Sequence, residues 1–509
     1  MPPISLSLSP SDVASVPTGR TLMIHPPYVH DNYLAEGTPF VTDRQPFLPV
    51  APMYAAELLE RHGLAEPVLF DCQLHDLREA PGVEEFDSYG IACMGAQNIT
   101  PAVHVYRHLA ERVDPARIHV GGQGVERLSS EEFQRIFPGA RKTDRGALAQ
   151  LPDAMDAGLE RQMARLSDAD LRVYLANEMT LPFSQGCLFG CSFCGAQTKR
   201  RESFFDTRAF LDLYCGHAQR LGIPSLYLYC TSLDFFQQAL PGGDLAQLTG
   251  RLEAVLEVSE RHGVEVGMHA LTRADSYNAA MASDEIRDLV RAAGFDRFGF
   301  GADGAASVAV LRAMRKHADE LRSDLIHAFD HAERNDFIPE ILYVFGIPED
   351  TRDTLIETRE LCGLLLEEFP NSEYRGFPAK NEIPGNSNWN RSGWRGSPAH
   401  TRLMDEPDLF LNLGFETLAN DISHDEPDKR LMVNRYAVDM SYRAHELGRV
   451  RSYLTIPMAD HGTEIMDDET VERFREIVAN YAPDLAPDLR KENVTEHRVA
   501  LNSAIPKDS

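Results

Sequence analysis

Three cysteines, Cys187, Cys191 and Cys194, fall within eight residues of the run Ser184-Gln-Gly-Cys187-Leu-Phe-Gly-Cys191-Ser-Phe-Cys194-Gly195. Thiolates are soft donors, and three on one loop can converge on a single soft metal centre if the loop curls. Gly186 and Gly190 permit that curl. A structural zinc knuckle takes four ligands at paired close spacings, and no fourth Cys or His stands nearby. A redox pair needs only two cysteines. Three protein ligands leave one metal position open for another molecule. The other five cysteines, Cys72, Cys93, Cys215, Cys230 and Cys362, are scattered, mostly in apolar runs, and read as small buried hydrophobes.

The elements that must position this loop follow from hydrophobic patterning. The loop comes directly after an apolar strand, Thr180 to Ser184. Further strands are expected at Ser225–Cys230, Val264–Ala270, Arg297–Gly301, Ile338–Phe345 and Tyr374–Pro378. Helical spacing lies between them, at Asp206–Gln219, Leu245–His262, Ser283–Ala293, Ser307–Lys316 and Thr351–Glu367. Six strand–helix units predict a parallel barrel or partial (β/α)6 barrel of the TIM type, whose active site is the mouth formed by the loops after the strands. Ahead of it, Thr21–His25, Pro67–Phe70, Tyr89–Met94 and Ile118–Val120 alternate with helical patterns at Pro49–His62 and Val103–Val113. This predicts a Rossmann-like, doubly wound parallel sheet. Its strand ends collect His25, Pro26, Asp71, Cys72, Gly95, Gln97 and the Gly121–Gly124 turn, the edge where such sheets bind ligands. Met155 to Leu175 is amphipathic and reads as a linker helix. After Ser397 the pattern turns helical, at Asp405–Leu413, Tyr436–Leu447 and Asp468–Tyr481. The expected domains are therefore 1–150, 151–396 and 397–509, in an α/β chain with a helical C-terminal domain.

The chain has 509 residues, 43% hydrophobic and 25% charged, with a formal charge of -28. Such a charge repels phosphate backbones and disfavours nucleic acid or an anionic membrane as partner. No run approaches the roughly 18 apolar residues that span a bilayer, and the start lacks the pattern of a signal peptide. The expected location is cytoplasmic.

The cysteine spacing, Cys-x-x-x-Cys-x-x-Cys with aromatic Phe193 before the last Cys, resembles that of the radical S-adenosylmethionine enzymes. So do Gly301-Ala-Asp303-Gly304, Phe345-Gly346-Ile347-Pro348-Glu349-Asp350 and the Pro384-Gly385 segment. The resemblance implies a four-iron–four-sulfur (4Fe–4S) cluster on Cys187, Cys191 and Cys194, with S-adenosylmethionine on the open iron. One electron, from a donor such as flavodoxin or ferredoxin, then gives a 5′-deoxyadenosyl radical that removes hydrogen from a small-molecule substrate. It places the adenine near Phe193 and Ile347 and the ribose near Asp303. Thr231, Ser232 and Asp234 are positional candidates for the methionine amine.

The N-terminal run resembles the cobalamin-binding domain fused ahead of many of these enzymes, on Ile24-His25-Pro-Pro-Tyr28, Pro49 to Gly63, Asp71 and Val120-Gly121-Gly122. The resemblance implies cobalamin near His25, Asp71, Gly121, Gly122 and Gly124, the glycine turn approaching its nucleotide tail and phosphate. In Asp71-Cys-Gln-Leu-His75, Gln73 stands where the axial histidine of other cobalamin domains would be, so ligation by His75 is not expected. A cobalamin-dependent methyltransferase of class B type, acting on an unactivated carbon or phosphorus, is the leading reading. Cobalamin-dependent cyclisation, ring contraction or oxidation without methyl transfer is the alternative, and a cluster or cobalamin sensor or electron carrier the non-enzyme one. A methylthiotransferase needs three N-terminal cysteines, and only Cys72 and Cys93 precede the loop. For the substrate cavity the strand ends offer Tyr229, Asp234, His269, Arg273, Tyr343, Arg375, Lys380, Asn381 and Glu382.

Overall fold

The structure is a computed structural model that describes residues 16–27, 47–80, 82–143, 155–194, 203–304, 307–316, 321–390, 393–413 and 419–447. The chain forms two compact units. One comprises Met1–Leu171 with Arg391–Gly414, the other Arg172–Asn390 with Phe415–Ser509. The residues expected to make a separate helical domain after Ser397 are thus divided between the two. The helix expected at Asp468–Tyr481 lies outside the described residues.

The first unit is built on a five-stranded, all-parallel sheet: β1 (Gly19–His25), β2 (Ala65–Asp71), β3 (Ser88–Ala92), β4 (Ile118–Gly121) and β5 (Arg141–Lys142), in the order β2-β1-β3-β4-β5. The order reverses between β1 and β3, which makes their carboxyl ends the crevice of a doubly wound sheet. β1 lies in the middle, and Leu22, Met23 and Ile24 are buried. Met23 packs with Val16, Ala56, Leu59 and Ala65 in one core cluster, which draws the helix Val50–Arg61 onto the sheet. The amphipathic linker breaks into two helices, Met155–Met163 and Asp168–Leu175. Ser167 separates them, its hydroxyl accepting from the Asp170 amide at 3.0 Å. The helix Pro398–Asp405 and the 3-10 turn Pro407–Leu413 belong to this unit. Thr100 Oγ1 donates to the Pro407 carbonyl at 3.0 Å, and the buried carboxylate of Glu132 meets His400 Nε2 at 2.9 Å and Arg395 Nε at 3.0 Å.

The second unit carries six parallel strands in sequential order, β6 (Glu178–Pro182), then, beyond a two-stranded ribbon of β7 (Ser184–Gln185) and β8 (Ser203–Phe204), β9 (Ser225–Thr231), β10 (Glu265–Thr272), β11 (Phe295–Gly301), β12 (Ile338–Phe345) and β13 (Glu373–Pro378). That order is the one a partial (β/α)6 barrel has. Right-handed crossovers running in one direction put every connecting helix on the same face and leave the other as an inner face. Along β9, Leu226, Leu228 and Cys230 are buried on the helix side, while Tyr227, Tyr229 and Thr231 alternate with them. The long helices are Thr207–Leu221, Leu245–His262, Leu321–Arg334 and Arg352–Glu368. Helix Pro427–Glu446 packs on β13 and on Arg352–Glu368. All five scattered cysteines are buried. No helix among the described residues is long and apolar enough to cross a membrane.

Candidate functional site

The cysteine loop starts where β6 ends, closed at its base by the antiparallel pairing of Ser184 with Phe204 and Gln185 with Ser203. The chain turns out of the ribbon at Gly186, whose φ of 102° lies in the region that side chains resist. Gly190 differs: a Cβ there meets nothing within 4 Å, so the curl does not depend on it. Four contacts hold the loop. Gln237 Oε1 accepts from the Leu188 amide at 3.2 Å, the Ser192 amide donates to the Met314 carbonyl at 2.9 Å, Cys194 N donates to Cys191 O at 3.2 Å, and Ser387 N donates to Ser192 O at 3.1 Å. The Arg273 guanidinium lies 3.9 Å from the centroid of Phe189, a cation–π stack.

All three thiols are half-buried, unlike the other five. Burial pushes Cys187 up to about 11, the nearby Asp234 charge adding to it. Burial also raises Cys191, against the pull of the Lys316 and Arg273 charges. Among the described residues no three His, Cys, Asp or Glu side chains converge closely enough to hold a metal as they stand. The donor set nonetheless fits a three-thiolate centre: the nearest carboxylates are committed elsewhere and leave the fourth position to another ligand.

Ser232, Asp234 and Asp303, the residues expected near the cofactor, are each engaged with groups on neighbouring elements. Asp234 is fully buried and accepts from Thr272 Oγ1 (2.9 Å), Arg273 N (3.1 Å) and Ser276 Oγ (2.6 Å). Burial pushes its carboxyl up to about 6, with the three donors opposing. It ties the end of β9 to the end of β10 instead of presenting a free carboxylate to an amine. Ser232 Oγ accepts from Ser184 Oγ at 3.0 Å, joining the same end to the base of the cysteine loop. Asp303 Oδ1 accepts from Val344 N at 2.7 Å, and its Oδ2 pairs with Lys316 Nζ at 3.3 Å. Lys316 also donates to Gly301 O at 2.7 Å and Asp303 O at 3.1 Å. Phe193 and Ile347 do come together: Phe193 packs against a buried cluster of Val310, Met314, Ile347 and Ala379.

Register places the inner face. Glu178 pairs with Tyr227 and Thr180 with Tyr229; His269 pairs with both Tyr229 and Arg297, Gly299 with Glu340, Glu340 with Glu373, and Leu342 with Arg375. Laterally paired residues share a face, so three of the cavity candidates, Tyr229, His269 and Arg375, lie on it. His269 is buried, stacked on Tyr229 at 4.9 Å and Tyr227 at 5.6 Å, and 3.5 Å from Glu178 Oε2. Arg297 and Glu373 form a buried two-pronged pair at 2.9 Å. Tyr343 lies on the opposite face, buried among helices, where burial raises its hydroxyl pKa far above the usual range. Glu178, Tyr227, Arg297, Glu340 and Glu373 escaped the sequence reading. The signal was present: a charge inside an apolar strand, such as Glu340 in Ile338–Phe345, is rare unless paired.

In the first unit, His25 and Asp71 end the paired strands β1 and β2. His25 is buried, which lowers its pKa against the opposing Asp71 charge. Asp71 is held by Gln73, which donates from its amide at 2.8 Å and from Nε2 at 3.0 Å. His75 is exposed and pairs with Asp170 at 3.2 Å. The glycine turn is packed closely on the chain after β3 and on Thr143. A Cβ at Gly122 (φ 115°) comes 2.3 Å from Cys93 O, one at Gly124 comes 2.4 Å from Gly95 O, and one at Gly121 comes 2.9 Å from Thr143 Cβ. Gly124 N donates to Cys93 O at 2.9 Å, while Val125 N and Glu126 N donate to Gly122 O. The helix that follows is only four residues long, Gln123–Glu126. These glycines let the chain pack on the end of β3, and the amides of Gly124, Val125 and Glu126 are engaged there by backbone carbonyls.

No family model and no curated protein matches this chain. Among solved structures it is similar to methylornithine synthase (PylB), at 14% identity over 68% of this chain and 88% of that one, with a TM-score of 0.33. It is also similar to HydG, a maturase of the FeFe-hydrogenase, at 11% identity over 79% and 96%, with a TM-score of 0.28. Likenesses this slight bear on neither fold nor function.

The chemistry available is therefore local. Three thiols on a pinned loop stand at the carboxyl end of the first of six parallel strands, and an inner face is lined with paired carboxylates, arginines and a tyrosine–histidine stack.

Proposed function

We propose that this chain is a radical S-adenosylmethionine enzyme, its cluster held by Cys187, Cys191 and Cys194. The observation that carries the reading is the contrast among the cysteines: three are half-exposed on one loop after the first strand, while five are buried. The loop geometry adds Phe193 packed against the cluster that contains Ile347, the pair expected to flank the adenine. When bound, the cluster and S-adenosylmethionine supply the radical that starts hydrogen removal from substrate. The protein's part is to pin the loop through Gln237, Met314 and Ser387, to exclude water through Phe189 and Phe193, and to hold a small polar substrate on the inner face near Tyr229, His269 and Arg375.

The test is anaerobic reconstitution of the full chain. About four irons and four sulfides per chain are expected, with 5′-deoxyadenosine formed on reduction in the presence of S-adenosylmethionine. Zinc, or no metal at all, overturns the reading. A flavodoxin- or ferredoxin-type donor and a cytoplasmic setting belong to the same proposal.

Cobalamin-dependent methyl transfer is the finer form of the proposal. It is supported by the strand order of the first unit, which opens a crevice at the ends of β1 and β3 beside His25. When bound there, cobalamin supplies a methyl group for transfer. The second reading, cobalamin-dependent cyclisation, ring contraction or oxidation, keeps both cofactors and transfers no methyl group. Product mass decides: a gain of one methylene unit supports methylation, and product without it sinks methylation.

A further inference from the structure

The turn Gly346-Ile347-Pro348 after β12 is held from outside the sheet. Its amides are satisfied locally, Gly346 N and Ile347 N donating to Asp350 Oδ2 at 3.1 and 3.2 Å. Its carbonyls reach beyond the turn, although Ile347 O also accepts locally from Asp350 N at 3.0 Å. Ile347 O and Pro348 O accept from the single ammonium of Lys429, at 2.9 and 3.1 Å, and Gly346 O accepts from Asn381 Nδ2 at 3.3 Å.

Lys429 stands near the start of the helix Pro427–Glu446, and its neighbours close on the same place. Asn381 also donates to Ser423 O at 3.0 Å. His424 Nε2 meets Ala379 O at 2.8 Å. A Cβ on Gly346 comes 2.4 Å from Val433 Cγ2 and 3.0 Å from His424 Cε1, with φ at 74°. Of the residues so held, Ile347 and Ala379 belong to the cluster against which Phe193, the residue before Cys194, packs. The packing is continuous from Lys429 through the turn and Phe193 to the cysteine loop.

We infer that Lys429 is a positioning residue for S-adenosylmethionine, fixing the turn that backs Phe193, so that the segment from Ala419 to Glu446 completes the cofactor pocket. The inference rests on the proposed reading of the cysteine loop. Lys429 reaches no reacting atom in this account. Two carbonyls that converge repel one another, and a shared cation stabilises that arrangement better than water does, because charge-assisted hydrogen bonds are the stronger ones. Without the ammonium the turn relaxes, and Ile347 and Ala379 lose their fixed place behind Phe193. The cysteine loop has its own hydrogen bonds to Gln237, Met314 and Ser387, none of them to this turn, so cluster retention is spared.

The experiment compares anaerobically reconstituted wild-type chain with the variants Lys429→Met, Lys429→Arg and Arg443→Ala. Iron and sulfide content, S-adenosylmethionine affinity by equilibrium dialysis, and the change it causes in the electron paramagnetic resonance signal of the reduced cluster are measured. Lys429→Met is expected to keep wild-type iron and bind S-adenosylmethionine about tenfold more weakly, the size of one charge-assisted hydrogen bond. Lys429→Arg is expected to restore most of the affinity, since a guanidinium can also donate to two carbonyls. Arg443→Ala, further along the same helix and paired with Glu367, should match wild type. Wild-type affinity in Lys429→Met, or a loss of affinity that only tracks a loss of iron, overturns the positioning role. A wild-type chain that holds iron but never binds S-adenosylmethionine overturns the underlying reading instead.

Discussion

Single residues here are governed by what surrounds them more than by their type. Cys187 is pushed up to about 11 and Cys191 is also raised, both by burial first. These thiols hold their protons at neutral pH, and a metal must displace them. Iron incorporation over a fixed time should therefore increase from pH 7 to pH 9, read as iron per chain. Cys191→Ala should drop iron to near zero at every pH, because two thiolates do not retain the cluster. His424 illustrates the opposite sign. Burial lowers it to about 4 from 6.5, so the folded state favours the neutral ring. Its share of stability is complete above about pH 6.5 and declines as pH falls toward 4. Urea midpoints of wild type and His424→Gln should draw together over that window. The spacing of the three cysteines alone marked them out, while the contacts that engage Ser232, Asp234 and Asp303 were not foreseen. Strand-end polar groups look alike in a sequence, and their hydrogen-bond partners lie dozens of residues away.

Elements were far more legible. The six strands of the second unit lie within two residues or so of the patterned segments, and Ile338–Phe345 is reproduced as written. An apolar run four to eight residues long between helical patterns leaves few other structures open to it. Helix Ala274–Met281 was missed, directly after β10 and too short to establish a period. The glycine turn was legible as a turn but not as packing. Gly124 stands where β4 hands the chain to a short helix against Gly95 O and Cys93 Sγ, at 2.4 and 2.5 Å from a would-be Cβ. Gly124→Ala should thus destabilise the chain by about 1–3 kcal/mol through overpacking, measured by thermal or urea unfolding. If the variant is as stable as wild type, the turn has room that its geometry denies.

For the molecule as a whole, the inner face of the second unit is the least legible part. Arg297 and Glu373 are 76 residues apart in sequence and meet at 2.9 Å with side chains 7% and 8% exposed. Removing one partner of such a pair strands a buried charge, and Glu373→Ala should cost about 3–5 kcal/mol. Arg297→Met with Glu373→Leu should recover most of that loss in the same urea titration. Composition, the two series of alternating strands and helices, and the cysteine trio were determined by the sequence alone, since each rests on neighbours within a few tens of residues. The tertiary structure alone decided that Asp234 and Asp303 brace strand ends, that the glycine turn packs on the backbone after β3, and that Lys429 holds the turn whose Ile347 shares a cluster with Phe193. Each of those depends on which distant groups a parallel sheet brings within three ångströms or so, and no local pattern encodes that pairing.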